Sequence, residues 1–242
     1  MTTRAEELAV TLSGVRGRIA AACSAAGRAG EEVRLLAVTK TFPADDVALL
    51  TELGLTDFGE ARDQEAAGKV ARLAKLWPDA PVRWHMVGRL QRNKARSVAR
   101  WAVQVQSVDS PRLVDALARS TRSAREAGER EGPLEVLVQA SLDGDPGRGG
   151  CPLALLDTLA GRVAAAEGLE LRGVMAVAPL DADPEPAFAA LATAAQRVRQ
   201  AHPGATELSA GMSGDLEIAI RHGSTCVRVG TALMGGRRLA SP

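Results

Sequence analysis

The 242-residue chain contains no tyrosine, only three cysteines and only three histidines. Cys23, Cys151 and Cys226 are odd in number and far apart, and the histidines are equally scattered, so no spacing typical of a metal site is present. We therefore expect no bound metal, and we expect reduced thiols of the kind found in cytoplasmic proteins.

An excess of charge of one sign and long apolar runs are also lacking. The 30 Lys and Arg residues nearly balance the 29 Asp and Glu residues, which leaves a formal net charge of +1 and does not favour nucleic acid as a partner. The first 30 residues hold no uninterrupted apolar block, so neither a signal peptide nor a membrane span is predicted. We expect a cytoplasmic protein without a membrane partner, and a monomer because nothing in the sequence requires an oligomer.

The chain has no linker rich in Pro and Ser and no repeat beyond a β/α rhythm, so we expect a single domain over residues 1–242. Within residues 1–30, apolar residues recur at steps of three and four, which predicts an amphipathic opening helix; they are Leu8, Leu12, Val15, Ile19 and Cys23.

After that helix, short β-branched runs alternate with longer stretches of helical character. The predicted strands are 34–39, 56–59, 82–87, 102–107, 134–140, 171–177, 205–209 and 226–230. The predicted helices lie within 43–53, 60–76, 90–100, 110–130, 152–167, 184–201 and 214–222. Eight β/α units in a chain of this length favour a closed (β/α)8 TIM barrel, with an open doubly wound sheet as the alternative. No G-x-G-x-x-G follows the first strand, so dinucleotide binding has no support.

The first predicted strand, RLLAVTKTFP, brings a lysine to its tip. In a TIM barrel the residues that follow the strands share one rim, and active sites lie on that rim. Lys40 is therefore a candidate reactive amine. We expect partial burial and neighbouring cations such as Arg228 to lower the pKa of Lys40.

The loops after strands 7 and 8 are the usual phosphate site of such barrels. Small residues there let the backbone approach an anion, and a following helix N-terminus favours negative charge. The candidate phosphate ligands are Ser209, Gly211, Met212, Ser213, Gly230 and Thr231. Each segment alone is also typical of a loop with a helix cap, so the prediction depends on both occurring at the same rim.

An amine and a phosphate cradle at one mouth suggest a phosphorylated aldehyde held as a Schiff base, and pyridoxal 5'-phosphate (PLP) is the obvious candidate. Arg228 lies on the same strand face as Gly230. It is either a buried arginine paired with an acid or the partner of the pyridine nitrogen of PLP. An arginine in the second role keeps that nitrogen unprotonated and makes the cofactor a weak electron sink.

Seven stretches in order resemble the YggS/PROSC family of pyridoxal phosphate homeostasis proteins, from about residue 33 to residue 237. They read LLAVTKTFP, FGEARDQE, WHMVGRLQRNKAR, SVDSPRLVDAL, LRGVMAVAP, LSAGMSGDLEIAI and GSTCVRVGTALMGGR. The resemblance implies the fold-type III PLP barrel, similar to alanine racemase but without its C-terminal β-domain. It also implies a Schiff base at Lys40, a pyridine contact from Arg228, and a role in buffering PLP or delivering it to apo-enzymes.

One position departs from the family, because Ala61 stands where F-G-E-N would place an asparagine. A neutral change or a slightly looser site is expected.

Two roles stay open for His85: a contact with the cofactor ring, or a hydrogen-bonded position inside the barrel. Lys94 and Arg96 are expected on a solvated helix face, with a part in PLP uptake or release as the alternative. The loop 143–150 is expected to be mobile, with Arg148 either solvated or bound to an anion.

The missing tyrosine bears on catalysis. Alanine racemases use a lysine and an opposing tyrosine as their two bases, and this sequence has no tyrosine and ends soon after strand 8. Cys151, His85 or another group would have to substitute for it, and nothing in the sequence demands such a substitute. We therefore expect a carrier without catalytic turnover, with a PLP-dependent amino-acid racemase as the alternative. A Schiff-base aldolase or another phosphate-binding barrel that never binds PLP is a third reading.

Overall fold

The computed structural model describes residues 2–145, 147–179 and 182–236. Within these ranges, nine strands form one parallel sheet: β1 (Arg34–Val38), β2 (Asp57–Glu60), β3 (Arg83–Met86), β4 (Gln104–Val108), β5 (Leu134–Ser141), β6 (Cys151–Pro152), β7 (Leu169–Ala176), β8 (Glu207–Ser209) and β9 (Cys226–Val229). Eight of them match the predicted strands to within about two residues. The ninth, β6, has two residues and pairs only with the end of β5.

The sheet closes on itself. β1 pairs with β2 on one side and with β9 on the other, and β4 pairs with β5, so the order around the barrel is β1-β2-β3-β4-β5-β7-β8-β9. Closure confirms the predicted TIM barrel and excludes the open doubly wound sheet.

The helices follow the strands as the alternation predicted. They are α1 (Arg4–Ala25), α2 (Ala44–Glu52), α3 (Asp63–Leu76), α4 (Ala95–Trp101), α5 (Pro111–Glu126), α6 (Leu156–Ala164), α7 (Pro184–Ala201), α8 (Leu216–Arg221) and α9 (Thr231–Met234). Of these, α9 alone was not predicted from the sequence. Among the described residues, no helix is both long and apolar enough to cross a membrane.

The opening helix α1 begins at a capping box. The Thr3 hydroxyl accepts the N–H of Glu6, and the Glu6 carboxylate accepts the N–H of Thr3, which satisfies two backbone donors that a helix start leaves free. Its five predicted apolar residues are all buried. They pack in a cluster with residues of α2, β1 and β9, such as Val47, Ala37 and Val229. The helix is therefore part of the barrel's outer core.

Apolar side chains between the strands and the surrounding helices form the core. The space inside the barrel is different, because hydrogen bonds cross it between strands that are not neighbours. Gln106 of β4 bonds Ser209 of β8, and Gln104 of β4 bonds Glu207 of β8. Polar side chains therefore fill part of the interior, and through Ser209 they are hydrogen-bonded to Arg228.

Candidate functional site

Lys40 lies at the mouth of the barrel, two residues beyond the end of β1. The Thr39 N–H donates to the Gly59 carbonyl at 3.0 Å, which extends the pairing with β2 by one residue. The chain then turns, and Thr41 adopts φ +69°, a left-handed conformation that is uncommon outside glycine. Lys40 is exposed, so the expected partial burial of this residue is not seen.

The backbone on both sides of Lys40 is held by side chains of α3. Lys69 donates from Nζ to the Thr39 carbonyl at 2.7 Å, and the Thr41 N–H donates to the Glu65 carboxylate. Since a left-handed threonine persists only where its surroundings fix it, these two bonds help to hold the turn, together with the backbone bond from the Phe42 N–H to the Thr39 carbonyl at 3.0 Å. The sequence interpretation did not identify Lys69.

Lys69 is itself paired with a fully buried acid. Its Nζ donates to Glu60 Oε1, and the Thr39 hydroxyl donates to the same oxygen at 2.7 Å. Burial raises the pKa of Glu60, although Lys69 and the Thr39 hydroxyl both act to lower it. The second oxygen, Glu60 Oε2, is buried and has no hydrogen-bond partner among the described residues. The turn that presents Lys40 therefore stands on a buried ion pair.

Arg228 lies inside the barrel with only 4% of its surface exposed. Its Nη1 donates to the Ser209 carbonyl and the Ser209 hydroxyl, both at 2.8 Å, and its Nη2 donates to the Ala176 carbonyl at 2.7 Å. No salt bridge to Arg228 occurs within the described part of the chain, so the alternative of an acid-paired arginine is not what the structure contains. Burial lowers the pKa of Arg228.

A chain of hydrogen bonds connects Arg228 to the opposite end of the barrel. Ser209 donates to Gln106 at 2.7 Å, and Gln106 donates to Gln104 Oε1 at 2.8 Å. That same oxygen lies 3.0 Å from His85 Nδ1, whose other nitrogen lies 2.8 Å from Asp57. Desolvation alone would raise the pKa of Asp57, but the His85 hydrogen bond and the Arg34 charge hold it well below its usual range.

Of the two roles left open for His85, the network favours the hydrogen-bonded position inside the barrel. The imidazole is fully buried, and each ring nitrogen already faces an acceptor oxygen. The contacts are those of a hydrogen-bonded barrel histidine rather than those of a side chain free to contact a cofactor ring.

The loops after β8 and β9 meet at the rim, as predicted. The Thr231 hydroxyl lies 3.3 Å from the Ser213 hydroxyl, which also accepts the Ala232 N–H at 3.3 Å. Gly211 has φ +90°, and a Cβ there would lie 2.7 Å from the Ala219 Cβ, so only glycine fits this turn. Gly230 packs against the Val38 backbone, because β9 and β1 are neighbours. The Ser213–Thr231 pair therefore shares the rim with Lys40.

Two of the predicted phosphate ligands have other partners. The Ser209 hydroxyl is fully buried and bonds Gln106 and Arg228, so it orients the guanidinium instead of facing the rim. The Met212 N–H donates to Asp215 at 2.6 Å, which closes a tight turn. The helices that follow these loops, α8 and α9, have six and four residues, so the expected helix-terminus contribution is small.

The remaining candidates are placed as follows. Cys151 is buried, and burial, with a further contribution from Asp109, raises its pKa to about 11, so a second base at this thiol is not supported. Arg148 is half-buried and bonds Asp143 at 2.7 Å and the Ala178 carbonyl at 2.6 Å, so it is neither a fully solvated side chain nor one without a partner. Lys94 is half-buried at the start of α4, whereas Arg96 is exposed. Ala61 is half-buried and packs its backbone against Gly88.

The described residues contain no group of three or more His, Cys, Asp or Glu side chains placed to hold a metal. The site is thus defined by an exposed amine, a buried guanidinium and a pair of hydroxyls at one mouth of a parallel barrel.

Comparison with known proteins places this arrangement in a family. Residues 14–238 match the alanine racemase N-terminal domain, and the chain belongs to that family. The alanine racemase of Streptomyces coelicolor A3(2) shares the fold with a TM-score of 0.68 at 19% identity, over 93% of this chain and 59% of that one.

Closer relatives narrow the assignment. The pyridoxal phosphate homeostasis protein of Mycobacterium tuberculosis (strain ATCC 25618 / H37Rv) is 52% identical over 248 residues, covering 99% of this chain and 96% of that protein. The structure of PipY of Synechococcus elongatus PCC7942 with PLP bound has a TM-score of 0.78 and 33% identity, covering 94% of this chain and 100% of that chain. The chain is a member of the pyridoxal phosphate homeostasis protein family, as the sequence stretches indicated.

Proposed function

We propose that this chain binds PLP at the barrel mouth through Lys40 and takes part in PLP homeostasis, by buffering or delivering the cofactor, without catalytic turnover. The observation that carries the proposal is that neighbouring strands supply both groups: β1 leads to an exposed lysine, and β9 carries a buried arginine that has no salt bridge among the described residues. The homeostasis proteins at 37–52% identity and the PLP-bound PipY structure support it.

The residues present fit the cofactor. A primary amine, two adjacent rim hydroxyls and a guanidinium suit an aldehyde, a phosphate and a pyridine nitrogen in turn. Bound PLP supplies an aldehyde carbon that condenses with a primary amine. Lys40 would provide that amine, and Ser213 and Thr231 would donate their hydroxyls to the phosphate. Gly230 would leave room for the phosphate, since it has no side chain.

Arg228 would set the protonation of the pyridine nitrogen. Three of its five N–H groups bond Ser209 and Ala176, which fixes the plane of the guanidinium. Because a guanidinium only donates hydrogen bonds, it leaves the pyridine nitrogen that it faces unprotonated. An unprotonated ring is a weak electron sink, so carbanion chemistry on the cofactor is disfavoured. Together with the hydrogen bonds of His85, the raised pKa of the buried Cys151 thiol and the absence of tyrosine from the sequence, this supports binding without turnover.

The test is the absorption spectrum of the purified protein after incubation with PLP. Wild type and a control Lys75→Ala, changed at an exposed lysine of α3, should acquire a visible band that Lys40→Ala lacks. Borohydride reduction and mass spectrometry should place the adduct on Lys40. A protein that stays colourless would overturn PLP binding and would favour a Schiff-base aldolase or another phosphate-binding barrel that does not bind PLP.

Turnover and delivery have separate tests. Sustained conversion of an amino acid, lost in Lys40→Ala, would instead favour the racemase. Transfer of PLP from the loaded protein to an apo-enzyme should be faster, or better protected, than uptake from an equal amount of free PLP. If transfer is neither faster nor better protected, the proposed delivery role is contradicted and only buffering remains.

A further inference from the structure

A groove of about 1580 Å³ runs along the rim beside the proposed PLP site. It is lined by the segments that follow β2, β3 and β4, from Ala61 to Glu65, from Arg89 to Lys94, and from Asp109 along the first turns of α5. Its volume exceeds the range of about 300–1,000 Å³ that is usual for small-molecule pockets. The groove is therefore of a size to take part of a macromolecule.

The groove is rich in cations that lack acidic partners. Arg62, Arg92, Arg112 and Arg119 are exposed, and none of them forms a salt bridge within residues 2–145, 147–179 and 182–236. Lys94, half-buried in the same groove, has none there either.

Several exposed arginines elsewhere on the surface have acidic partners. Arg18 pairs with Glu217 at 2.7 Å, Arg100 with Glu129 at 2.8 Å, and Arg162 with Asp115 at 2.8 Å. In a chain whose net charge is only +1, a concentration of unpaired arginines in one groove is a local feature and not a consequence of composition.

Three acidic residues also line the groove, but they are outnumbered by its six cations, Arg62, Arg89, Arg92, Lys94, Arg112 and Arg119, so an excess of positive charge remains. Asp63 is buried and accepts the Trp101 indole N–H at 3.1 Å. Glu65 accepts the Thr41 N–H, and Asp109 accepts the Gly150 N–H at 3.4 Å. The groove therefore presents positive charge to whatever occupies it.

The floor of the groove distinguishes between anionic partners. It includes the apolar side chains of Met86, Leu90, Leu113 and Ala116. An apolar centre with an arginine rim is typical of protein–protein interfaces, where arginine is enriched because its fork binds carboxylates in a bidentate way. Proteins that bind single-stranded nucleic acid typically stack its bases on aromatic side chains, and among the described residues no Phe, Tyr or Trp lines this groove.

We propose that the groove docks an acidic polypeptide segment of a partner protein, with carboxylates on the four arginines and an apolar residue toward the floor. The surface adjoins the Lys40 turn, because Glu65 both lines the groove and holds Thr41. A partner seated there lies next to the barrel mouth. Docking does not depend on PLP, so its failure and the failure of the proposed function are distinguishable.

The test measures binding of a fluorescein-labelled peptide of glutamate and leucine residues by anisotropy, with the full-length protein at low salt. A groove variant combines Arg62→Gln, Arg92→Gln, Arg112→Gln and Arg119→Gln. A control variant removes the same charge from exposed positions outside the groove: Lys75→Gln, Arg122→Gln, Arg125→Gln and Arg199→Gln. All the changes are at exposed residues, and circular dichroism verifies folding.

We expect the groove variant to bind the peptide at least about tenfold more weakly than wild type, since several ion pairs are lost together. The control should bind within about twofold of wild type, and added salt should weaken the binding. No binding to wild type, or equal losses in both variants, would overturn the proposal. So would a labelled oligothymidine that binds wild type more tightly than the peptide, which would indicate a nucleic-acid groove.

Discussion

The side-chain amine of Lys69 lies 2.7 Å from the carbonyl oxygen of Thr39, the residue that precedes Lys40. The amine proposed to react with PLP is thus carried by a turn that a second, buried lysine holds from beneath. Because Lys69 also neutralises Glu60, the presentation of Lys40 and the stability of the mouth depend on the same ion pair.

Lys69→Met should expose this dependence. It leaves the fully buried Glu60 without its cation, and breaking such a pair costs about 3 kcal/mol. The pKa of Glu60 is already raised by burial and rises further without Lys69, so the folded variant takes up a proton as the pH falls and regains stability. Urea unfolding should therefore show a large loss at neutral pH and a smaller loss near about pH 5.

The exposed Lys75 of the same helix is the matched control, and Lys75→Met should change the unfolding free energy by less than about 0.5 kcal/mol. Formation of the PLP adduct should also slow in Lys69→Met but not in the control. An equal loss of stability at both pH values would contradict the role given to Glu60.

Ser209→Ala tests the support of Arg228. The hydroxyl donates to Gln106 and accepts from Arg228, so its removal leaves a buried acceptor and a buried donor unpaired. The expected destabilisation is about 1–3 kcal/mol in thermal or urea unfolding. Affinity for PLP should fall a few-fold, because the guanidinium loses one of the bonds that orient it. Ser13→Ala, at an exposed position of α1, should change neither quantity, and similar behaviour of the two variants would refute the network.

The two glycines of the loop after β8 make a matched pair. Gly211→Ala introduces a Cβ at φ +90° and 2.7 Å from the Ala219 Cβ, whereas a Cβ at Gly214 meets nothing within 4 Å. We expect Gly211→Ala to lower stability by about 1–3 kcal/mol and to weaken binding of PLP, since strain of this size moves the Ser213 loop. Gly214→Ala should bind PLP as wild type does. Equal affinities in titrations of both variants would show that the turn at Gly211 does not shape the phosphate site.

The fold was largely predictable from the sequence, because the patterns that define it lie within single strands and single helices. Most strands are short apolar or β-branched runs and most helices are longer stretches with an apolar period, so the alternation that defines a parallel barrel can be recognised without knowing any contact. The short β6 was missed because two residues carry no pattern, and α9 was missed because one turn of helix cannot be distinguished from a loop.

Apart from Arg228, the candidate site was predictable only at the rim. Lys40, Ser213 and Thr231 follow strands, and the position of a strand end fixes where they lie. The barrel interior was not predictable, because Gln106 and Ser209 are 103 residues apart and only barrel closure brings them together. Lys69 did leave a signal: it follows Ala66 by three residues and precedes Leu73 by four, which places a lysine on the buried face of α3.

Asp57→Asn tests the far end of the interior network through the pH dependence of stability. The carboxylate accepts from Arg34 at 2.7 Å and faces His85 at 2.8 Å, and its pKa is held well below its usual value of about 3.9. A depressed folded-state pKa stabilises the protein above the unfolded-state pKa, and this contribution is lost as the pH falls below about 4.

Wild type should therefore lose stability steeply in acid. Asp57→Asn should be about 3 kcal/mol less stable at neutral pH, because a buried charge partner is removed, and its stability should fall less between about pH 5 and pH 3. Urea unfolding across that range measures both slopes. Parallel slopes would mean that other carboxylates dominate acid unfolding and that the Arg34–Asp57–His85 contacts contribute little to the barrel.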